Sequence, residues 1–556
     1  MSSTPGSTTS RTLAGHDDID NIDNIVIRDV DSVQEVVDPR LSLSSRPSAD
    51  QLDRSFSREV IDTIRGDHHH RPDIVNEKEQ GTSSSESPEI FYVDWDKGDL
   101  RNPANFSHRR KWAITVTASA LTAMVASDAS TYAMGYASMT RDLNCSTLQA
   151  TVGLSVYALG FGLFPLFFAP LSEEFGRQPL YIVTTFIYMS MHIGVALAKN
   201  IQSVIVFRFI AGAAGSTGST MVGGTIADIW APHERGLPMA TFSIAALTGT
   251  GFGPLFAGWI AMNPHLEWRW IQWLHLIVTG ILFVVILVVM KETRSSVLLT
   301  RVAKKLRKRT GDNRYRARIE DERSSLRTLI MISCTRPIHL LLTEPVVASF
   351  SLWIGFAWGI LYVLIESVSP AFTQLHHFNL GQVGSVFSTL IIGSLLGYAS
   401  NMLYQEKIYD AKFKIRGHEA RLYSSCFAGV LFPISMFLYA WTSLPQVHWI
   451  GMAIGITLFM WTIFIIYLAV FTYLADCYGP YASSALAGQS LCRNLAGAAF
   501  PLFTQQMYAR LTFKWANTLF AFIALLMLPI PFILFRWGPQ IRARSKFASQ
   551  VPAFGS

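Results

Sequence analysis

Four ionisable side chains interrupt long apolar stretches of this 556-residue sequence: Asp128, Arg208, Glu366 and Arg493. Burying a charge in such a stretch is expensive, so each is a candidate functional residue. Asp128 and Arg208 lie at matching depth in their stretches and carry opposite charges. A buried pair would keep Asp128 ionised while intact and would let it take a proton when opened. We therefore predict that Asp128 and Arg208 couple proton movement to function, with a static salt bridge between helices as the alternative.

The elements that position these residues are predicted from hydropathy. About 20 apolar residues are needed to cross a bilayer core of ~30 Å. Twelve stretches have this length, six on each side of a polar segment, which predicts an all-α polytopic membrane protein with two six-helix halves. We number these stretches spans 1 to 12, and they cover residues 112–135, 148–170, 179–198, 202–227, 237–262, 270–290, 345–373, 381–404, 421–443, 448–474, 481–508 and 515–537.

Composition and charge narrow the class of protein. Half of the residues are hydrophobic and only 15% are charged, against roughly 25% in soluble domains. The apolar stretches argue against a nucleic-acid-binding protein, and five cysteines make no disulfide framework. Lysine and arginine are biased toward alternate loops, which predicts that both termini are cytosolic. The plasma membrane is the expected location, with the vacuolar membrane as the alternative.

These patterns divide the chain into five predicted segments. A disordered cytosolic tail (1–105) precedes the first bundle (106–290), and a basic linker (291–340) leads to the second bundle (341–540) and a short cytosolic tail (541–556). The linker has 14 basic and five acidic residues, and its apolar residues from Leu298 to Leu306 recur at helical spacing. This spacing predicts an amphipathic helix on the anionic leaflet of the bilayer.

Neither a metal nor a cofactor is predicted from the sequence. His68, His69 and His70 form a short histidine run, but it lies in the polar tail with no cysteine nearby, so we interpret it as solvated. Asn144, Cys145 and Ser146 form a glycosylation triplet in the first outer loop. Its position next to the membrane argues against modification of Asn144.

The loop between spans 2 and 3 contains a group of charged residues that could act as a gate. Gly176 permits a tight turn there, and the Arg177 guanidinium is a planar donor for carboxylates. Glu173 precedes them, and Asp228, at the predicted cytosolic end of span 4, is within reach of Arg177. We predict that this contact breaks and reforms as the two halves move.

Three strings resemble signature elements of the major facilitator superfamily. Ala169–Pro179 is similar to the loop 2–3 signature, Arg208–Gly215 to the arginine element of span 4, and Gly249–Gly258 to the span 5 element that separates antiporters from symporters. The resemblance implies proton coupling through Arg208 and an antiporter element made of Gly249, Gly253, Pro254 and Gly258. Relatives carry a small residue where Asp128 stands, so its role is specific to this sequence, and holding a cationic substrate is the alternative.

Further strings resemble one branch of this superfamily, the fungal twelve-span drug:proton antiporters that include polyamine and multidrug exporters. The resemblance covers about residues 92–540. Its strings include Trp268–Trp273, Lys291–Arg294, Thr343–Pro345 and Tyr473–Tyr478.

Aromatic and polar residues of the spans are candidates for the substrate cavity. For any single aromatic residue, packing or anchoring at the membrane interface is the alternative. Glu366 is also the closest candidate partner for Arg493. The candidates are Tyr132, Tyr157, Trp358, Tyr362, Glu366, Trp461 and Arg493.

Together these features predict a secondary transporter that exports a drug, a polyamine or a secondary metabolite in exchange for protons. Its partners would be the small-molecule substrate, protons and the lipid bilayer, and the chain would act as a monomer. A non-transporting nutrient sensor on the same scaffold and a proton symporter for uptake are the alternatives. No phosphate-binding loop or metal-spaced cluster of residues supports an enzyme.

Overall fold

The computed structural model describes residues 27–28, 90–96, 98–231, 234–322 and 325–548. These residues form two compact units. The larger unit contains residues 108–294 and 325–548, and the smaller one contains residues 27–28, 90–107 and 295–322. The predicted division of the chain into five segments remains a prediction, and His68–His70 lie outside the described residues.

Each of the twelve predicted spans falls on helix in the larger unit, which confirms the all-α polytopic fold. Nine helices of the described chain are long and apolar enough to cross a membrane, and the two helices of span 2, bent by 42° at Phe164, make a tenth together. Spans 1 to 6 are His108–Thr131, Thr147–Leu163 with Pro165–Phe175, Arg177–Ala196, Ile201–Gly215 with Thr217–Ile229, Gly236–Met262, and Glu267–Val289.

The second half repeats this arrangement. Its last two spans run through one 62-residue helical stretch, which Thr512 divides because its φ of 63° and ψ of 166° are not helical. Spans 7 to 10 are Pro345–His376, Leu380–Val386 with Ser388–Tyr404, Leu422–Thr442, and Ile450–Tyr478; spans 11 and 12 lie in Ala482–Met527, and Pro529–Ala543 continues span 12. Shorter helices are Tyr136–Asp142, Leu326–Thr343 and Asp410–Arg416.

The outer faces of the spans show that this unit is an integral membrane protein. Large apolar side chains stay exposed along them, such as Val288, which is 72% exposed, and Leu526, which is 81% exposed. An apolar surface of this extent is found where a protein contacts lipid or a partner. Span 6 is the clearest case, since only 28% of its most apolar 18-residue stretch is buried inside the protein.

The two halves meet where span 5 packs on span 8 and where span 2 packs on span 11. Small residues allow the first contact. A Cβ added at Gly258 would lie 2.4 Å from the carbonyl oxygen of Leu380, and one added at Gly384 would lie 2.5 Å from that of Pro254. The backbones of spans 5 and 8 therefore touch directly.

The smaller unit contains a three-stranded sheet. Strand β1 (Ile27–Arg28) pairs antiparallel with β2 (Phe91–Val93), which pairs parallel with β3 (Tyr315–Arg316). Part of the predicted disordered tail is thus paired with the linker. Sequence patterns did not predict this pairing because it joins segments more than 200 residues apart.

A linker helix, Ser295–Thr310, lies in the same unit, followed by Arg318–Glu322. Its Ala303 and Leu306 are buried against Val93 of β2 and Ala317. This part of the apolar face is therefore covered by protein, and contact of the helix with the anionic leaflet stays a prediction.

Candidate functional site

Arg208 and Asp128 form a buried ion pair between spans 4 and 1. Arg208 Nη1 lies 2.7 Å from Asp128 Oδ1, and both residues are fully buried. The aromatic rings of Tyr132 and Tyr157 cover the guanidinium, with their centroids 4.4 and 4.1 Å from its carbon. Removing a charge from water is costly, so this pair and its two aromatic faces keep the Arg208 cation stable inside the bundle.

Close packing of span 4 on span 2 brings Tyr157 to Arg208. A Cβ added at Gly212 would lie 2.1 Å from the carbonyl oxygen of Tyr157, so only glycine fits there. The Tyr157 hydroxyl donates a hydrogen bond of 2.9 Å to the carbonyl oxygen of Val125 in span 1. Tyr157 thereby joins three spans around the ion pair.

A central cavity lies between the two halves. Of the predicted cavity residues, Tyr157, Trp358, Tyr362 and Arg493 line it. Arg493 is the single charged side chain among the described residues that line the cavity. The rest of the wall is largely apolar and comes from spans 1, 2, 4, 5, 7, 10 and 11.

Arg493 is held by two aromatic rings rather than by an acid. Its guanidinium carbon lies 4.4 Å from the centroid of Trp358 and 5.1 Å from that of Tyr467. Its Nη2 also lies 3.5 Å from the Ser490 hydroxyl. Tyr467 lines the cavity too, and sequence analysis missed it because nothing in the sequence separates it from other aromatic residues of span 10.

Three of the predicted cavity residues lie away from the cavity wall. Tyr132 packs on Arg208 instead. The Trp461 indole donates to the Ser400 hydroxyl at 2.9 Å, between spans 10 and 8. Glu366 likewise has other partners. The helical periodicity of apolar residues in the sequence could not distinguish these three residues from those that line the cavity, because every face of these spans carries apolar residues.

Glu366 links the two halves near the start of span 2. It accepts hydrogen bonds of 2.8 Å from Thr151 of span 2 and of 2.8 Å from Gln505 of span 11. The predicted pairing of Glu366 with Arg493 does not occur among the ion pairs of the described residues. The structure therefore places Glu366 at a contact between the halves, on the side of loop 1–2.

A charged cluster closes the opposite side of the first half, which we call the loop 2–3 side. Arg177 Nε donates to Asp228 Oδ2 at 2.5 Å, and Arg294 Nη1 lies 3.5 Å from Asp228 Oδ1. Glu173 lies 4.0 Å from Arg294 and is more than half exposed. The structure thus brings together Glu173, Arg177 and Asp228 through Arg294, which sequence analysis gave no role.

Glu292 completes this cluster at the first turn of span 3. Its carboxylate accepts from the backbone N–H groups of Arg177 at 3.0 Å and of Gln178 at 3.3 Å. Carboxylates are favourable at helix N-termini because the free N–H groups point at them. Gly176 has a φ of 98°, and a Cβ there would lie 2.1 Å from Glu292, so the turn requires glycine.

The second half contains a matching cluster that sequence analysis missed. Arg421, just before span 9, donates to Asp476 near the end of span 10, and Arg542 after span 12 donates to Glu419. Gly417 has a φ of 61°, as Gly176 has a positive φ in the first half. A repeated charge cluster at corresponding places is expected where two halves are structural repeats.

The span 5 element provides close contacts to both halves. Gly249 and Gly253 face span 1, where an added Cβ would lie 2.5 Å from the Ala123 carbonyl oxygen and 2.5 Å from the Ser127 hydroxyl. Gly258 and the carbonyl of Pro254 face span 8, as described above. The four residues therefore form a surface along which helices touch.

Asn144 is exposed and has a φ of 46°. The Ser146 hydroxyl of the same triplet accepts from the backbone N–H of Gln149 and caps span 2. Glycosylation of Asn144 remains an untested prediction, and the expectation against it is unchanged.

Two bundles of six helices around a central cavity define a secondary transporter, in which substrate binds between two repeated halves. Comparison with known proteins agrees with this class. Residues 116–501 match the family profile described as Major Facilitator Superfamily. The chain belongs to this superfamily, which confirms the predicted resemblance and shows that it is a transporter rather than an enzyme.

Fungal efflux proteins are among its relatives. The chain is 35% identical to the MFS-type efflux pump MFS2 of Trichophyton rubrum, over 87% of this chain and 81% of the pump. It is 34% identical to the Major facilitator superfamily multidrug transporter mdrA of Aspergillus fumigatus, over 86% of this chain and 79% of that protein. The solved structure of the proton:xylose symporter XylE shares the fold, with a TM-score of 0.56, 14% identity, and coverage of 78% and 96% of the two chains.

Proposed function

We propose that this protein exports lipophilic small organic compounds in exchange for protons by alternating access. The observation that carries the proposal is the position of Tyr157, which lines the cavity and whose ring covers Arg208. A substrate in the cavity and a proton on Asp128 would therefore act on the same side chain. Efflux pumps and a multidrug transporter among the relatives support the direction of transport.

The cavity wall favours neutral or anionic substrates over polyamines. Arg493 supplies a positive charge, and no acidic side chain of the described residues lines the cavity to balance a polycation. Aromatic residues such as Trp358, Tyr362 and Tyr467 offer flat apolar surfaces. A compound with a ring system and one acceptor or carboxylate group fits this wall best.

Proton coupling would follow from the buried pair. A proton that reaches Asp128 neutralises the carboxylate, so Arg208 loses its counter-charge and its attraction to span 1 weakens. Arg208 would then move against Tyr157 and change the cavity wall. Loss of the proton on the other side of the membrane would restore the pair and return the protein to its first state.

The charge clusters on the loop 2–3 side would act as the gate on one side. The cluster of Arg177 and Asp228 and that of Arg421 and Asp476 occupy corresponding places in the halves. Glu366, with Thr151 and Gln505, would close the other side. Alternating access requires that closing contacts on the two sides form in turn.

We place the protein in the plasma membrane as a monomer, with both termini in the cytosol. The bias of lysine and arginine toward the loop 2–3 side supports this orientation. Protease accessibility of tags at both ends, in intact and permeabilised cells, tests it. A terminal tag cleaved in intact cells would overturn the orientation.

The test of the function uses purified protein in proteoliposomes with an imposed pH gradient. The panel contains an azole, cycloheximide, benzoate and spermine, compared for wild type, Asp128→Asn and Arg208→Ala. Arg141→Gln is the matched control, because it breaks an exposed ion pair with Glu267 far from the cavity wall. We expect gradient-driven exchange in wild type and in the control, and loss of the pH dependence in both pair variants.

The outcomes separate the alternatives. Movement of substrate with the proton gradient, rather than against it, would establish a symporter. Spermine as the preferred compound would overturn the substrate class, and no movement of any panel compound in wild type would favour a sensor. Unchanged coupling in Asp128→Asn would leave the ion pair as a static salt bridge.

A further inference from the structure

Two histidines without a role in the proposed cycle lie beside Asp128. His192 of span 3 is 1% exposed and His275 of span 6 is 4% exposed. Their rings are stacked, with centroids 5.5 Å apart and an angle of 15° between the ring planes. One ligand atom of each ring and one oxygen of Asp128 lie within 4.8 Å of one another.

The hydrogen bonds around His275 assign its tautomer. Thr131 Oγ1 donates its proton to the carbonyl oxygen of Asp128 at 3.2 Å. With that proton on the carbonyl, we infer the tautomer in which the imidazole is the donor in the 3.0 Å contact between His275 Nε2 and Thr131 Oγ1. The proton of neutral His275 is on Nε2, and Nδ1 carries the lone pair.

The tautomer of His192 follows from its own hydrogen bond. Its Nδ1 lies 2.9 Å from the amide oxygen of Gln272, which can only accept, so Nδ1 carries the proton and Nε2 the lone pair. Among the described residues, His192 Nε2, His275 Nδ1 and Asp128 Oδ2 are buried acceptors without a hydrogen-bond partner. The three residues whose ring and carboxylate atoms lie within 4.8 Å of one another thus each carry one acceptor that lacks a donor.

A positively charged group bound here would give these three acceptors a partner. This is favourable because a buried polar group without a partner is costly. Two candidates have the right chemistry, a proton and a divalent metal ion. The Arg208 cation already occupies the other oxygen of Asp128, at 2.7 Å. Because the Asp128–Arg208 pair has no net charge, a divalent ion would leave two buried charges uncompensated and a proton only one, so a proton is favoured.

The charges around the two imidazoles are few. Asp128 faces them from span 1, Arg208 approaches from span 4, and Tyr188 packs on His192 within span 3, with ring centroids 4.8 Å apart. Span 5, which also packs on span 6, contains no titratable side chain. The cluster therefore responds mainly to the Asp128–Arg208 pair.

We propose that His192 and His275 form, with Asp128, a second buried proton-binding site of the first half. A proton on either imidazole makes a cation that donates to Asp128 Oδ2, so it replaces Arg208 as the partner of that carboxylate. Arg208 is then held less tightly, and a second proton, on Asp128 itself, completes its release. The inference rests on the proposed proton coupling and adds a proton to each transport cycle.

The first test measures the number of protons exchanged per substrate from reversal potentials in proteoliposomes. Wild type, His192→Gln, His275→Gln and the double variant are compared, with His265→Gln in the exposed loop after span 5 as the matched control. We expect the double variant to exchange one proton fewer than wild type, and His265→Gln to exchange the same number. Gradient-driven transport in wild type shows that the proposed function holds, whatever the variants do.

A coupled wild type with an unchanged proton number in the double variant would overturn the second site alone. If the double variant does not fold, infrared difference spectra of wild type labelled at histidine decide the question. We expect imidazolium bands to change on substrate addition, and spectra without such a change would overturn the proposal. Stoichiometric binding of Zn²⁺ to purified wild type, lost in the double variant, would overturn it in favour of a metal site.

Discussion

The ring of Tyr157 lies 4.1 Å from the guanidinium carbon of Arg208, and the same residue lines the central cavity. One residue thus contacts both the buried ion pair and the space where substrate would bind. This arrangement gives the proposed coupling a physical route that needs no contact between substrate and proton.

Replacing the ring of Tyr157 should uncouple transport. A desolvated cation–π contact is worth about 2 kcal/mol, or roughly 30-fold, so we expect Tyr157→Leu to lose about that much gradient-driven transport. Tyr157→Phe keeps the ring and loses only the hydrogen bond to Val125, so it should stay close to wild type. The measurement is the initial rate of transport in proteoliposomes. Equal losses of gradient-driven transport in Tyr157→Leu and Tyr157→Phe would assign the effect to the hydroxyl group instead.

The ion pair on the loop 2–3 side should behave as one unit. Breaking a buried pair by removing one partner costs about 3–5 kcal/mol, so Arg177→Gln and Asp228→Asn should each slow turnover strongly. We expect the double variant to be no slower than either single variant, because the contact is already lost. Additive losses in turnover number, with unchanged substrate binding, would show that the two residues act separately.

Because spans 5 and 8 are closely packed, we predict that substitution of Gly258 by a larger residue destabilises the protein. Forcing a methyl group 2.4 Å from the Leu380 carbonyl oxygen should destabilise the contact between the halves, by about 1–3 kcal/mol as for overpacked cores. Gly280→Ala in span 6 is the control, since its Cβ would meet only Met189 at 3.7 Å. Thermal unfolding in detergent measures both, and equal melting temperatures for the two variants would contradict the packing argument.

The smaller unit should loosen at low pH. Hydrogen bonds from Arg307 hold the pKa of Glu320 below its usual range. Because the pKa is lower in the folded state, the contribution of Glu320 to stability is complete above about pH 4.3 and is lost as pH falls through the folded value. We expect the protection factors of the amides of residues 315–322, which are exchange rates referred to the intrinsic rate at each pH, to fall in that range.

Glu320→Gln is the variant that checks this pH effect. It removes the titrating group, so the protection factors of the same amides should already be lower than in wild type at neutral pH and should change less on acidification. Wild-type protection factors that stay constant from pH 6 to about pH 3 would show that the pair does not support this unit.

Much of the candidate site could be predicted because charges in apolar segments are rare and costly. Asp128 and Arg208 stood out for that reason, and the structure places them in contact. The contact between Arg177 and Asp228 could be predicted because both residues lie at the ends of spans on the same side. Sequence analysis missed His192 and His275 because it searched the spans for charged residues, and histidine counts as neutral. Polar residues within a span were nevertheless a usable signal.

Other residues could not be found in this way. Tyr467 and Trp461 belong to the same apolar helix, yet only the first lines the cavity. Glu292 and Arg542 follow spans as ordinary charged residues, and their roles come from partners more than 100 residues away. The pairing of β2 with β3 is equally distant in sequence.

The sequence by itself determined the spans, their number and the membrane class, because the free energy of placing a residue in lipid depends mainly on that residue and its near neighbours. The tertiary structure alone decided which face of each span meets the cavity, which buried acceptors lie on the residues around Asp128, and which charges pair within each half. Those relations depend on how helices rotate and pack against one another, and almost uniformly apolar helices carry little periodic signal of their rotation.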